Sequence, residues 1–529
     1  MLKSSLPTVV PVRGGPSYSV GWRTVCRLNE IRPGHARLVL FNGTEIAVCR
    51  EEDAVFAVAA RCPTHQAPLS DGLVISGRLI CPLHNCEYDL RSGINPHETS
   101  QRIAVYQAQV CEGDVELNAS TVPHGPGVPD TYLGRWARHS GLEPHVGQVH
   151  DLAEGREPRV QTSATPGGNR FDEIRFLPAP LNKRHSGPID TSTTIGPSAD
   201  RPLRLDIPML VGHMSYGALS IESKVALARA TRDAGTACGS GDGGFHGRER
   251  DAAERYIIQV IPGHFPSPDI LAQADAIEIH LGEASRPGHG AFIPAHKVTT
   301  EISLHREIPP HVDYITELTQ CTATELQAHV SALREEATGV PIGVKFPAGA
   351  LEQDIALALH SAVDYISIEG AEAGSSSREG AHKASHTGLD TLTALCRARK
   401  LLDETGAQTS LLIAGGFSRA DHIAKALALG ADAVVLGRAA LWAIGCQNFQ
   451  ACDGGACPVG IATQEPNLRL RLNPDMSARR LATYLKGLRD GVAEYCRVMG
   501  GGTVRELRAA HLTARDWAVA ETAGLQIDR

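Results

Sequence analysis

The chain has 529 residues, 21% of them charged, and a formal net charge of −8. That length exceeds one ordinary core and points to roughly two to four domains, or a barrel plus a smaller unit. The acidic balance offers no basic footprint for nucleic acid or an anionic membrane, so neither partner is expected.

The N-terminus does not read as a signal peptide, because Pro7 and Pro11 interrupt its apolar residues. The most apolar stretch, 423–444, is broken by Lys425, Gly430, Asp432, Gly437 and Arg438 and fails as a membrane span. Thirteen cysteines, about half of them in tight clusters, fit a reducing compartment. A cytoplasmic protein is expected.

In chain order, short runs at 37–41, 45–49, 55–59, 79–80 and 115–117 are separated by turn residues, which predicts a small all-β domain over 1–118. Proline, glycine, histidine and serine then predominate, as at 124–129 and 163–168. This predicts a linker over 119–174 with one short helix near Tyr132 and Trp136. Beyond it, strand-like runs alternate with helical ones: 208–211 then 221–230; 276–279; 341–345 then 351–361; 365–368 then 389–403; 410–414 then 420–429; and 433–436. Repeated units of this size predict an α/β fold, a (β/α)8 TIM barrel over 175–479. Residues 480–529 are expected to form a helical cap around the Gly500-Gly-Gly502 break.

Three kinds of motif carry chemistry. Cys446, Cys452 and Cys457 lie in one Gly-rich loop after the last barrel strand. Three nearby thiolates suit a three-iron cluster, [3Fe-4S], better than a four-cysteine cage; the competing reading is three unreactive buried thiols. Cys62-Pro-Thr-His65 and Cys81-Pro-Leu-His84 place two Cys/His pairs on two loops of the β domain. A Rieske-type [2Fe-2S] centre needs that set, and a Cys2His2 zinc site competes for it. At the barrel rim, Gly415-Gly416 and Gly437-Arg438 follow strands seven and eight, where barrels bind phosphate. The glycine-rich stretch 235–244 reads as a flexible rim loop. Lys345 ends an apolar strand, where an interior lysine can stabilise negative charge on a reduced flavin. His280, Glu283, His289 and Glu369 are rim residues that could act as acids or bases, or could simply be hydrogen-bonded there.

Over about residues 175–470 the order of Met214-Ser-Tyr-Gly-Ala218, Gly239-Ser-Gly-Asp-Gly-Gly244, Gln259-Val260, Ala274-Asp-Ala-Ile-Glu278, Arg286-Pro-Gly, Lys297-Val298, Lys345, Gly415-Gly416 and the cysteine loop resembles the glutamate synthase FMN domain. The resemblance implies FMN held by Met214, Ser215, Gly217, Ser240, Gln259, Lys345, Gly415, Gly416, Gly437 and Arg438, and a [3Fe-4S] cluster on Cys446, Cys452 and Cys457. It also implies hydride transfer between the flavin and a 2-imino acid, a small-molecule substrate, a ferredoxin-like electron partner and possible homo-oligomers.

No amidotransferase domain is visible, residue 2 being leucine. The N-terminal loops resemble the Rieske family, although Thr64 stands where that family places its first histidine and His65 follows. The family's 2-oxoglutarate pocket maps onto His280, Phe292, Asp242 and Arg306, of which only the arginine is unchanged. With Lys345 these make the expected catalytic set of Lys345, Arg306, Asp242 and His280. The departures imply a different amino or imino acid, and the expected activity is FMN-dependent redox chemistry at a C–N bond. Amine transfer as in N-methylglutamate synthases, or a non-catalytic electron-transfer module, are the alternatives.

Overall fold

The structure is a computed structural model that describes residues 21–528 apart from 42–43, 64–66, 83–84, 124–144, 157–168, 184, 285–291, 316–320, 338, 375–385 and 450–451. The chain divides into two units, Met1–Pro144 with Leu470–Leu472, and His145–Arg469 with Asn473–Arg529.

The first unit is all β. Seven strands form one antiparallel sheet in the order Glu87–Asp89, Arg78–Ile80, Leu73–Ile75, His35–Phe41, Thr44–Glu51, Ala54–Ala59, Val105–Tyr106. Trp22–Arg27, Asp114–Asn118 and Ala108–Cys111 form a second sheet of three. Side chains alternate across a strand, and Thr44–Glu51 uses both faces. Ile46 and Val48 enter a cluster with Phe41, Val115 and Leu117, while Ala47 and Cys49 enter another with Leu69, Leu79 and Tyr88. Burial on both sides explains why this strand reads as a continuous apolar run.

The second unit is built on eight parallel strands: Met209–Val211 (β1), Ala237–Gly239 (β2), Arg255–Val260 (β3), Ala276–His280 (β4), Ile342–Pro347 (β5), Tyr365–Glu369 (β6), Ser410–Ala414 (β7) and Ala433–Leu436 (β8). The ladder runs β1-β8-β7-β6-β5-β4-β3-β2, and β1 also lies against β2, so the barrel is nearly closed. The expected strands are present, and β2 and β3 are additional to them. The principal helices are Ile221–Ala234 (α1), Ala323–Glu336 (α2), Leu351–His360 (α3), Thr391–Thr405 (α4), Ala420–Ala428 (α5), Arg438–Ala443 (α6) and Pro474–Val498 (α7). Local chemistry sets their ends. Ser220 caps α1 through Ser223 N, Thr322 and Glu325 form a capping box on α2, and Gly235 and Gly406 close α1 and α4 at φ 71° and 66°.

Ile257, Ala276, Tyr365, Leu412 and Ala433 fill the barrel interior. Ile195, Leu203 and Leu205 of a hairpin, Thr193–Ile195 with Leu203–Leu205, join the same cluster. Tyr365 fits because Gly343 stands beside it: a Cβ there would lie 2.4 Å from the ring. Its hydroxyl donates to the Ile277 carbonyl at 2.9 Å.

The flanking segments differ from expectation. Residues from His145 onward belong to the barrel unit and are not a free linker: the helix Val146–Ala153 buries Val146, Val149 and Ala153. The helix expected near Tyr132 and Trp136 lies outside the described residues. The C-terminal cap is only partly helical. α7 begins at Pro474, and beyond Gly500 the chain makes strand Leu512–Ala514, which pairs with Ile174–Phe176 and Gln526–Ile527. Among the described residues no helix is long and apolar enough to cross a membrane.

Candidate functional site

Residues two apart on a strand face the same way. Ala276 lies in the interior cluster, so Glu278 and His280 of β4 also face inward; the register sets them beside Gly343 and Lys345 of β5. This turns the upper barrel polar. Gln259 Nε2 donates to Glu278 Oε1 at 2.9 Å, and His213 Nε2 is 3.1 Å from the same oxygen. Lys345 Nζ lies 2.8 Å from Glu369 Oε1, while Glu369 Oε2 accepts from Ala284 N at 2.9 Å. Burial acts to lower the Lys345 pKa, but Glu369, Glu283 and Glu278 outweigh it and hold the ammonium above lysine's ordinary value. Burial likewise acts to raise Glu278, and His213 and Lys345 overcome it, so this carboxylate stays below its ordinary range.

His280 is 3% exposed, and neither ring nitrogen has a hydrogen-bond partner among the described residues. Burial and the neighbouring Lys345 depress its pKa. Asp242 accepts from Ser215 Oγ, and its second carboxylate oxygen is buried without a partner. Burial pushes Asp242 up, but Arg306, His280 and Lys345 together hold it below the usual carboxylate range. Arg306 ends the helix Thr300–Arg306 and gives Nε and Nη2 to the Tyr216 carbonyl at 3.2 and 2.7 Å. The donors on that edge are thus engaged, leaving the outer edge of the guanidinium to meet a carboxylate. Phe292 is 42% exposed, on a short ladder with Ile315.

The loop 239–244, expected to be flexible, is tightly packed. A Cβ at Gly239 would meet His213 Nδ1 at 1.7 Å, at Gly241 Ser215 N at 2.6 Å, and at Gly243 Arg306 Nη2 at 2.3 Å. The glycines permit close approach of segments. Ser240 is buried and accepts from Gln259 N through Oγ at 2.9 Å. Lys224 was not singled out in the sequence. It is 1% exposed on its side chain, pairs with Glu249 at 2.7 Å, and donates to the carbonyls of Met214, Gly239 and Ser240 at 2.5, 3.1 and 3.0 Å. It therefore anchors the β1 and β2 loops to α1. The Gly217 carbonyl accepts from Gln464 Nε2 at 3.0 Å.

After β7 and β8, Gly415 (φ 142°) packs on Thr391 and Gly416 (φ 68°) on Asn169. Gly437 has open space where a Cβ would stand. Arg438 Nη2 donates to the Glu372 carbonyl at 3.3 Å. This corner exposes backbone beside a guanidinium, as a phosphate requires.

The cysteine loop follows α6. Cys446 and Cys457 are buried and Cys452 half-buried; His150 Nε2 is 3.3 Å from the Cys446 carbonyl oxygen, and Lys297 Nζ donates to the Cys452 carbonyl at 2.5 Å. In the first unit, Cys62 and Cys81 are buried in one cluster, with Cys62 Sγ 3.3 Å from Tyr88 Oη. His65 and His84 lie outside the described residues, as do Arg286 and His289. One further ligand-like group, Asp172, Asp421 and His422, is already filled by cations. Arg419 donates to Asp172 at 2.8 Å and Lys425 to Asp421 at 3.1 Å.

Fold and site together define a parallel-barrel protein whose C-terminal mouth is lined by paired ionised side chains, with a separate all-β unit ahead of it. Residues 182–502 match the family model described as the conserved region in glutamate synthase, and 21–118 match that of the Rieske-like [2Fe-2S] domain. The chain belongs to the glutamate synthase family. It is 34% identical over 336 residues to an archaeal-type glutamate synthase [NADPH] of Thermotoga sp. (strain RQ2), covering 62% of this chain and 65% of that protein's length. An archaeal glutamate synthase [NADPH] of Methanocaldococcus jannaschii is 33% identical, covering 68% of this chain and 71% of its own. A solved mandelate oxidase variant aligns with a TM-score of 0.41 at 20% identity, over 64% of this chain and 87% of that one.

Proposed function

We propose that this chain is an FMN-dependent, iron-sulfur oxidoreductase acting on the C–N bond of an amino or imino acid. Lys345 carries the reading: a buried cation, held charged by Glu369 and its neighbours, faces inward from β5 beside His280. Such a fixed charge stabilises negative charge that develops above it. Family membership supports the same chemistry.

The residues present fit the cofactors. Gly415, Gly416, Gly437 and Arg438 offer a phosphate corner; Met214, Ser215, Gly217, Ser240 and Gln259 supply the adjoining rim, braced by Lys224. Cys446, Cys452 and Cys457 would hold the [3Fe-4S] cluster, and Cys62, His65, Cys81 and His84 a Rieske-type [2Fe-2S] cluster. Bound FMN would supply hydride transfer and exchange of single electrons with the clusters. The outer edge of Arg306 would anchor a substrate carboxylate, and Asp242 would orient the amine. A ferredoxin-like protein is the fitting electron partner. Thirteen cysteines, about half of them in tight clusters, fit the reducing cytoplasm.

Anaerobic purification of the full chain with flavin, iron, sulfide and zinc quantified tests this. Stoichiometric FMN with a three-iron and a two-iron cluster is expected. Protein carrying only zinc and no flavin overturns it.

A further inference from the structure

Most buried charged groups around the barrel mouth are paired, while single atoms such as His213 Nδ1 and Asp242 Oδ2 have no partner among the described residues. Lys345 has Glu369, Glu278 has Gln259 and His213, and Lys224 has Glu249. His280 is the residue with two unpartnered nitrogens, at 3% exposure on the inward face of β4. Native structures seldom leave buried polar groups unmatched, so such a side chain marks where a ligand completes the bonding.

The charged groups facing the imidazole are Lys345 from β5, Asp242 from the β2 loop, Glu283 from the β4 loop and Glu369 from β6. Lys345 is engaged by Glu369, and among the residues of the polar layer the carboxylates Asp242, Glu278 and Glu369 already face only Lys345 and Arg306 as permanent cations. A neutral imidazole presents one N–H donor and one lone-pair acceptor. A carboxamide or a hydroxyl complements both, because each donates and accepts. An ionised carboxylate can only accept: it would leave the lone pair facing an anion and add a further negative charge to the layer.

Resting on the proposed reaction, we infer that His280 is a specificity-determining residue that selects amino or imino acids whose distal end is a neutral hydrogen-bonding group. A second carboxylate is disfavoured at that position. The α-carboxylate remains with Arg306.

The test uses the full-length, FMN-loaded protein under anaerobic conditions. Glutamate, glutamine and norvaline, with the corresponding 2-oxo acids, are titrated against flavin absorbance to give Kd, and flavin reduction or reoxidation rates are recorded for each. The carboxamide members are expected to bind at least tenfold tighter than the carboxylate members. His280→Lys should invert that order, and His280→Leu should bring carboxamide and methyl ends to equal affinity. The wild-type ranking stands without any variant, so a misfolded variant does not shield the inference. Tightest binding of the carboxylate members, or a His280→Lys ratio equal to wild type, overturns the role of His280 while leaving the C–N redox reading intact. A bound flavin that responds to none of the compounds removes both.

Discussion

Lys345 and Tyr88 each stand beside the chemistry proposed for their unit. Lys345 is worth more than its contact with Glu369, because its removal strands a buried carboxylate. Breaking one half of a buried pair costs about 3–5 kcal/mol. Lys345→Met should therefore lose both turnover and roughly that much stability in chemical denaturation, and Glu369→Gln added to it should recover much of the stability but not the turnover. Unchanged stability in the single variant would show that the pair is not buried in solution. In the first unit, Tyr88 Oη lies 3.3 Å from Sγ of Cys62, a ligand in the proposed [2Fe-2S] site. Hydrogen bonds to ligand sulfur favour the reduced, more negative cluster and raise its potential. A lost bond of about 1 kcal/mol corresponds to roughly 40 mV for a one-electron couple. Tyr88→Phe should lower the [2Fe-2S] midpoint by about that amount in a potentiometric titration followed by EPR.

Between elements, close approach and ion pairing hold the barrel. Gly343 makes room for the Tyr365 ring from the adjacent strand, and a Cβ 2.4 Å from that ring must displace it. Gly343→Ala should cost about 1–3 kcal/mol by overpacking, read as a lower denaturation midpoint with the m-value unchanged. Asp172 joins the segment Arg170–Glu173 to α5. Burial acts to raise its pKa, but His422, Arg419 and Lys425 outweigh that and hold it well below the ordinary aspartate value of about 3.9. A depressed folded pKa contributes stability above the unfolded value that is lost as pH falls through it. The barrel should accordingly lose stability below about pH 4, and Asp172→Asn should flatten that limb of the profile.

These contacts also show what the sequence could carry. The apolar run through Lys345 is a local signal, and it was legible as a barrel strand. β2 is three residues inside a glycine-rich stretch, too short for any period to register. The Lys224–Glu249 pair joins α1 to a short helix after β2, so nothing in either segment alone marks it. The glycines of 239–244 looked flexible because composition does not reveal that His213, Ser215 and Arg306 press against them.

At the scale of the whole molecule, two units with their own interiors predict separable behaviour. The β unit holds two apolar clusters built entirely from residues 25–122, and the barrel is filled by its own strands and the hairpin beneath them. Domains with independent cores can fold alone. A fragment of residues 21–123 should therefore unfold cooperatively by itself, and calorimetry of the full chain should resolve two transitions. The fragment carries one defined handicap. Asp71 is buried and lies 3.0 Å from Arg471, which the fragment lacks, and burial already pushes that carboxyl's pKa up. A buried charge that loses its nearest partner and keeps only the weaker influence of Arg61 is costly, so Asp71→Asn should raise the fragment's melting temperature while doing less in the full chain, where Arg471 is present. A single transition in the full chain, together with a fragment that Asp71→Asn does not stabilise, would mean that the β unit depends on more of the barrel chain than the three residues Leu470–Leu472.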